Sequence, residues 1–211
     1  MKQALTILLL SIICVGAFAQ QSTLVNDVAI SSVNQNGNWL SYGRTHSEQR
    51  FSPLTQITKE NVSSLRPDWY FPIPNSRSLV STPLVVDGVI YFIASLNVVR
   101  ALNAETGEEL WSFNPRVGTI APGRMRAGWD NSRGIAIWEG KLFVATWDGR
   151  LIGLDRNTGE QLWSTQTIDP DLAMYITGAP KAFEGKVLVG NGGTENGPNR
   201  GYVTAYDANT G

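Results

Sequence analysis

Three stretches of the 211-residue chain repeat one another: ALNAETGEELWSF at 101–113, GLDRNTGEQLWST at 153–165 and AYDANTG at 205–211. Their first residues, Ala101, Gly153 and Ala205, are spaced 52 and 52 apart. A fixed period of this length is the signature of a repeat architecture. Each unit has a matching half upstream. TPLVVDGVIYFIAS (82–95) aligns with GIAIWEGKLFVATW (134–147) and APKAFEGKVLVGN (179–191). In these halves Asp87-Gly88, Glu139-Gly140 and Glu184-Gly185 separate apolar, β-branched runs, which is a hairpin pattern. The Asn/Asp-x-x-Thr-Gly segments are turns as well, with Gly supplying the positive φ. One unit therefore reads strand, turn, strand, turn, strand, Thr-Gly turn, Trp-bearing strand. Four antiparallel strands in about 50 residues make one blade of a β-propeller, so the expected fold class is all-β. Trp111 and Trp163 recur at one blade position, where a large ring fills the space between neighbouring blades with its N–H bonded across. A third such Trp would fall at 215, past the last residue.

Composition agrees with this reading. Charged residues are 17% of the chain, against about 25% in an average domain, and hydrophobic residues are 42%. Disorder is excluded, because it needs low hydrophobicity and high net charge. The net charge of −1 offers no field for nucleic acid or anionic lipid. The 21 glycines and seven tryptophans suit turns and inter-blade packing.

The first residues stand apart from the fold. Lys2 precedes an apolar run from Ala4 to Phe18 that ends in Ala17-Phe18-Ala19. A charged start, a short apolar core and a small-x-small site predict a signal peptide over 1–19 and export to a periplasm. The run is shorter than the ~18–20 residues that span a bilayer, so no stable membrane span is expected. Cys14, the only cysteine, leaves with it, and Ile13 ahead of it does not suit a lipoprotein site. Residues 20–65 form a lead-in, with a short helix expected at Thr58-Lys-Glu-Asn-Val capped by Thr58. LRPDWYFPIP (65–74) is expected to start the first blade strand. The propeller then occupies 66–211, with repeats near 66–113, 134–165 and 179–211.

Chemistry is expected where the repeat breaks. The interval from the acidic-Gly turn to the next repeat start is 13 residues in the first two units and 20 in the third. The extra seven lie in GNGGTENGPNRGY (190–202), and insertions in repeat proteins fall in loops, often on the binding face. Glu195 is a carboxylate among these glycines, suited either to a hard Ca²⁺ ion or to a solvated surface hairpin. Arg133 begins the second repeat's first strand, where it can fork onto a ligand carboxylate or pair with a surface acid. Thr177 sits at the equivalent start of the third repeat. His46, the lone histidine, has no metal-ligand partners nearby in sequence. No Ser/His/Asp set, Walker loop or strand-borne G-x-G-x-x-G is present.

From about Trp39 to Gly211 the chain resembles the pyrroloquinoline quinone (PQQ)-dependent alcohol dehydrogenases, eight-bladed quinoprotein propellers. SYGRTHSEQRFSPLTQIT…NVSSLRPDW, TPLVVDGVIYF, RGIAIWEGKLFVATWDGRLIGLDRNTGEQLW, TGAPKAFEGKVLVGNGG and RGYVTAYDANTG follow the family pattern, and A-x-D-x-x-T-G-x-x-x-W is its tryptophan-docking repeat. The resemblance implies that Arg133 pairs with a PQQ carboxylate and that Thr177 bonds PQQ. It implies that Gly193 and Thr194 bring backbone to the quinone, and that Glu195 ligates Ca²⁺, or a lanthanide in some relatives. The ion acts as a Lewis acid on a quinone carbonyl while hydride passes from a small alcohol to PQQ. A c-type cytochrome or a quinone takes the electrons. The family's Asp base lies beyond residue 211, so no catalytic residue is assigned here. Three of eight blades are expected, as the N-terminal part of a longer enzyme that alone lacks activity.

Two positions depart from the family. Val80 stands where a Glu usually contacts PQQ, and Ala127-Gly128 where an adjacent Cys pair lies against the ring; Trp129 is a candidate substitute surface. These departures sustain an alternative, a non-enzymatic propeller acting as an envelope scaffold or binding protein.

Overall fold

The computed structural model describes residues 22–35, 37–74, 76–120 and 131–211. The fold is all-β, as expected. The first sheet contains β1 (Leu84–Val86), β2 (Val89–Ile93), β3 (Val99–Asn103) and β4 (Glu109–Phe113). The second contains β5 (Ala136–Trp138), β6 (Lys141–Ala145), β7 (Arg150–Asp155) and β8 (Gln161–Gln166). The third contains β9 (Lys181–Phe183), β10 (Lys186–Gly190) and β11 (Val203–Asp207). Strands follow sequence order within each sheet and pair antiparallel.

Local chemistry dictates this pattern. Asp87-Gly88, Glu139-Gly140 and Glu184-Gly185 each join two strands in two residues, and all six have positive φ between 45° and 80°. Positive φ at both positions defines the type I′ turn, whose twist matches that of paired strands. The Thr-Gly turns close on one acceptor each. Asn103 Oδ1, Asp155 Oδ1 and Asp207 Oδ1 accept from the backbone N–H groups two and three residues on. A β-bulge falls at the same place in the first two sheets, after Ala101 and after Gly153.

The tryptophans pack the sheets as blades. Trp111 lies so close to Gly159 that a Cβ there would meet the ring at 2.5 Å; Trp163 meets Gly211 at 2.6 Å in the same sense. The Trp111 indole donates to the Arg156 carbonyl at 3.2 Å, while that of Trp163 is buried and has no hydrogen-bond partner among the described residues. The middle sheet, covered on both faces, is the most buried: Leu142, Phe143, Val144, Leu151, Ile152 and Leu154 are all fully enclosed.

Two expectations fail in the lead-in region. Residues 65–74 form no strand, because Pro67, Pro72 and Pro74 remove ladder donors. Instead Trp69 docks as the later tryptophans do, against Gly107 at 2.6 Å, with its indole bonded to the Ala104 carbonyl at 3.1 Å. No α-helix forms at 58–62, where the Glu60 N–H does donate to the hydroxyl of Thr58 at 3.3 Å. The Thr58 carbonyl closes a turn with the Val62 N–H at 3.0 Å, and a single 3₁₀ turn follows at Val62–Ser64. The helices among the described residues are α1 (Asp27–Ser31), capped by the Asn26 side chain on the Ala29 N–H, and the single turn α2 (Val117–Ile120).

From Thr23 to the first residue of α1 the chain crosses the three hairpin turns in order. Thr23 donates its N–H and hydroxyl to Asp87 at 2.8 and 2.5 Å. The Val25 carbonyl accepts from the Glu139 N–H at 2.8 Å. Asp27 Oδ2 accepts from the Glu184 N–H at 3.0 Å. Alternate residues from Thr23 to Asp27, the first residue of α1, thus fasten three consecutive blades. Trp39 then pairs with Val85 through two backbone hydrogen bonds of 2.8 and 3.0 Å, extending the inner edge of the first sheet. Among the described residues no helix is long and apolar enough to cross a membrane.

The docking geometry separates two glycines that share a backbone conformation. Gly140 (φ +80°) has open space around its Cβ position, whereas Gly159 (φ +74°) faces the Trp111 ring. Gly140→Ala should therefore cost only the left-handed backbone strain, about 1–2 kcal/mol. Gly159→Ala adds displacement of the ring, for a total of about 2–4 kcal/mol. Urea denaturation of the two variants checks the difference.

Candidate functional site

The starts of the first strands converge. The Thr82 N–H donates to the Arg133 carbonyl and the Arg133 N–H to the Thr177 carbonyl, both at 2.9 Å. This backbone chain links positions 44 residues or more apart, and it brings two expected site residues into contact. Arg133 Nη1 donates to the Thr177 hydroxyl at 2.6 Å. The guanidinium is exposed and forms no ion pair among the described residues. A cation that faces solvent beside a hydroxyl, without an acid to neutralise it, suits an anionic ligand.

Arg133 and Thr177 line two adjoining hollows. One is shared with Tyr42, Val80, Asn131, Trp147 and Tyr175. The other runs along Asn191, Gly192 and Tyr202. Val80 is half exposed at 52% and puts an apolar surface into the first hollow. Ala127, Gly128 and Trp129 lie outside the described residues.

Glu195 sits in the expected insertion, on a 3₁₀ turn at Thr194–Asn196 that follows Gly193. The loop is narrow at Gly193, where φ is +99° and a Cβ would stand 2.6 Å from the Ala173 carbonyl oxygen and the Met174 Cα. No side chain fits there, and the Gly193 N–H is left aimed at Glu195 Oε2, 3.1 Å away. The other carboxylate oxygen, Oε1, accepts from the Tyr175 hydroxyl. This hydrogen bond, followed by backbone N–H donors, holds the exposed Glu195 carboxyl below its ordinary pKa. The same bond, with burial and the nearby charge of Glu195, raises the pKa of Tyr175, against an opposing pull from Arg133. Glu195 is thus held ionised and Tyr175 held as a donor. Thr194 is exposed beside them.

Tyr175 joins the two halves of the site, two residues before Thr177 on the same extended segment, where alternate side chains share a face. Its backbone pairs with Gly192 at 3.2 and 2.8 Å, and its ring stacks on Trp147 with centroids 4.3 Å apart and planes 12° from parallel. Trp147 is 2% exposed, and its N–H is held by Asn97 Oδ1 at 2.8 Å. Sequence reading missed Trp147 and Tyr175. Their signals were present: Trp147 is off the docking period of Trp111 and Trp163, and Tyr175 has the spacing of a face-mate of Thr177. His46, placed on the lead-in surface, is exposed and bonded to Asp27 at 3.2 Å.

Among the described residues no three His, Cys, Asp or Glu side chains cluster as a metal site. Glu195 can supply one ligand and no more from this set.

Comparison with known proteins matches residues 39–211 to the family model of the PQQ-dependent glucose/ethanol/alcohol dehydrogenase β-propeller domain. The chain is 47% identical to the quinohemoprotein alcohol dehydrogenase ADH IIB of Pseudomonas putida, over all of this chain and 30% of that protein. It superposes on the quinohemoprotein alcohol dehydrogenase ADHIIG of Pseudomonas putida HK5 with a TM-score of 0.85 at 42% identity, covering 92% of this chain and 28% of the other. A europium-containing methanol dehydrogenase gives a TM-score of 0.79 at 36% identity, covering 88% and 32%. The chain thus spans less than a third of the length of these relatives.

The narrow loop gives a test of the site's framework. Gly193→Ala would press its Cβ on backbone atoms and should destabilise the chain by about 2–3 kcal/mol. Gly178→Ala, with open space at its Cβ position, should change stability by less than about 0.5 kcal/mol. Denaturant midpoints of the two variants are the readout.

Proposed function

Since the chain belongs to the PQQ-dependent alcohol dehydrogenase propeller family, we propose that it builds one wall of the cofactor and metal site of a periplasmic enzyme that oxidises small alcohols. The observation that carries this is the exposed Arg133 guanidinium, held on the Thr177 hydroxyl and paired with no acid among the described residues. PQQ is a planar tricarboxylate, and a guanidinium beside a hydroxyl donor fits one of its carboxylates. Glu195, ionised and exposed, fits a hard cation such as Ca²⁺ or a lanthanide.

When bound, PQQ supplies the hydride acceptor and the cation the Lewis acid. This chain's residues bind and orient. Arg133 neutralises negative charge and fixes the ligand's rotation. Thr177 accepts from Arg133 and keeps its O–H to donate to the ligand. Gly193 and Thr194 place backbone beside the ligand where larger residues cannot pass, and Glu195 contributes one metal ligand. The proton-abstracting base is not among the residues assigned to this chain. Electrons leave to a c-type cytochrome or a quinone, as the haem in a relative's name suggests.

The test is PQQ titration of the cofactor-free, full-length protein with Ca²⁺, followed by quenching of tryptophan fluorescence. Removing a charged hydrogen bond costs about 1.5–3 kcal/mol, so Arg133→Ala should weaken PQQ binding about 10- to 100-fold. No saturable PQQ binding by the wild type would overturn the enzyme reading and favour the scaffold one.

A further inference from the structure

We infer that Tyr175 is a positioning residue for Glu195, setting the direction in which its carboxylate meets a cation, and that Trp147 braces Tyr175. The inference rests on the reading of Glu195 as a metal ligand.

The geometry forms a continuous path. Asn97 is fully buried and its Oδ1 fixes the Trp147 backbone. The Trp147 ring is buried and stacked on the Tyr175 ring. The Tyr175 hydroxyl donates to Glu195 Oε1, while the Gly193 N–H holds Oε2. The ring of Tyr175 reaches this place only because Gly192 has no side chain: a Cβ there would lie 2.9 Å from it. Glu195 is exposed on a short turn, so without these donors its long side chain would sample several rotamers. A carboxylate offers about four acceptor sites, so these donors leave capacity for a cation. Hydrogen bonds of this kind orient ligating carboxylates, and their loss costs about 10–100-fold in metal affinity.

The experiment is terbium binding to the full-length protein, read by Tb³⁺ luminescence sensitised by tyrosine and tryptophan. Wild type, Tyr175→Phe and Glu195→Gln are compared, each with its thermal midpoint. Tyr175→Phe keeps the stacked ring and loses only the hydroxyl. It should bind Tb³⁺ at least about 10-fold more weakly, with a thermal midpoint within about 2 °C of wild type. Unchanged or tighter binding by Tyr175→Phe, with Glu195→Gln impaired, would overturn the positioning role alone. Equal behaviour of Glu195→Gln and wild type would overturn the metal reading together with the inference. A Tyr175→Phe defect that appears only with a collapsed thermal midpoint would show Tyr175 to be structural and overturn its positioning role.

Discussion

An indole lying flat on a glycine is the contact on which the rest of this molecule depends. Trp69, Trp111 and Trp163 each press on the Gly of a Thr-Gly turn in a neighbouring sheet. The glycine is required twice over. It holds φ near +74° at the end of the turn, and it leaves room that any Cβ would fill. A strand-borne ring seated on the next blade's turn sets how far apart the two sheets stand and how each is rotated against the other. Burial follows from this spacing. The middle sheet has a neighbour on each face and its strands β5, β6 and β7 are almost wholly enclosed, while the outermost strands β4 and β8 remain largely exposed.

The site inherits its geometry from that spacing. Arg133 and Thr177 are far apart in sequence, yet they occupy corresponding starts of innermost strands. Once the blades are docked, those starts come within backbone hydrogen-bonding distance of one another. The side-chain bond between Arg133 and Thr177 is then a local consequence. At the hairpin turns the segment Thr23–Asp27 bonds to each blade in turn, which ties the three blades together. Blade spacing is thus fixed both by the rings and by this segment.

Much of this was legible in the sequence, for identifiable reasons. The acidic-Gly pairs and Thr-Gly turns are local, two- to five-residue signals, and they repeat, so each supports the others. The docking role of Trp111 and Trp163 was legible from recurrence alone. Trp69 was not, because no repeat unit precedes it and residues 65–74 read as the start of a strand. The bulges after Ala101 and Gly153 left no mark, since a bulge is a property of pairing register rather than of composition. The crossing of three hairpins by Thr23–Asp27 was also hidden, because each bond uses a different group: a side-chain pair, a backbone carbonyl and a carboxylate. Of the site, Arg133, Thr177 and Glu195 were identifiable from repeat position and the insertion, whereas Trp147 and Tyr175 left only weak signals, an off-period position and a face-mate spacing. Aromatic residues were already explained by packing, and nothing in the local sequence says which of them face a hollow.

The two kinds of residue divide the molecule's labour. Positions that obey the 52-residue period make turns, ladders and docking contacts, and they can be alike because every blade solves the same packing problem. Positions that depart from it, the seven-residue insertion with Glu195, the off-period Trp147 and the exposed Arg133, cannot be explained by that problem. A ring of identical blades would present identical inner ends and could not orient an asymmetric ligand. Breaking the period at these positions gives different donors from neighbouring blades while leaving the docking contacts intact. Tyr175 shows how closely the two are joined. Its backbone bridges to Gly192 as part of the blade, while its hydroxyl reaches the one carboxylate that the insertion adds.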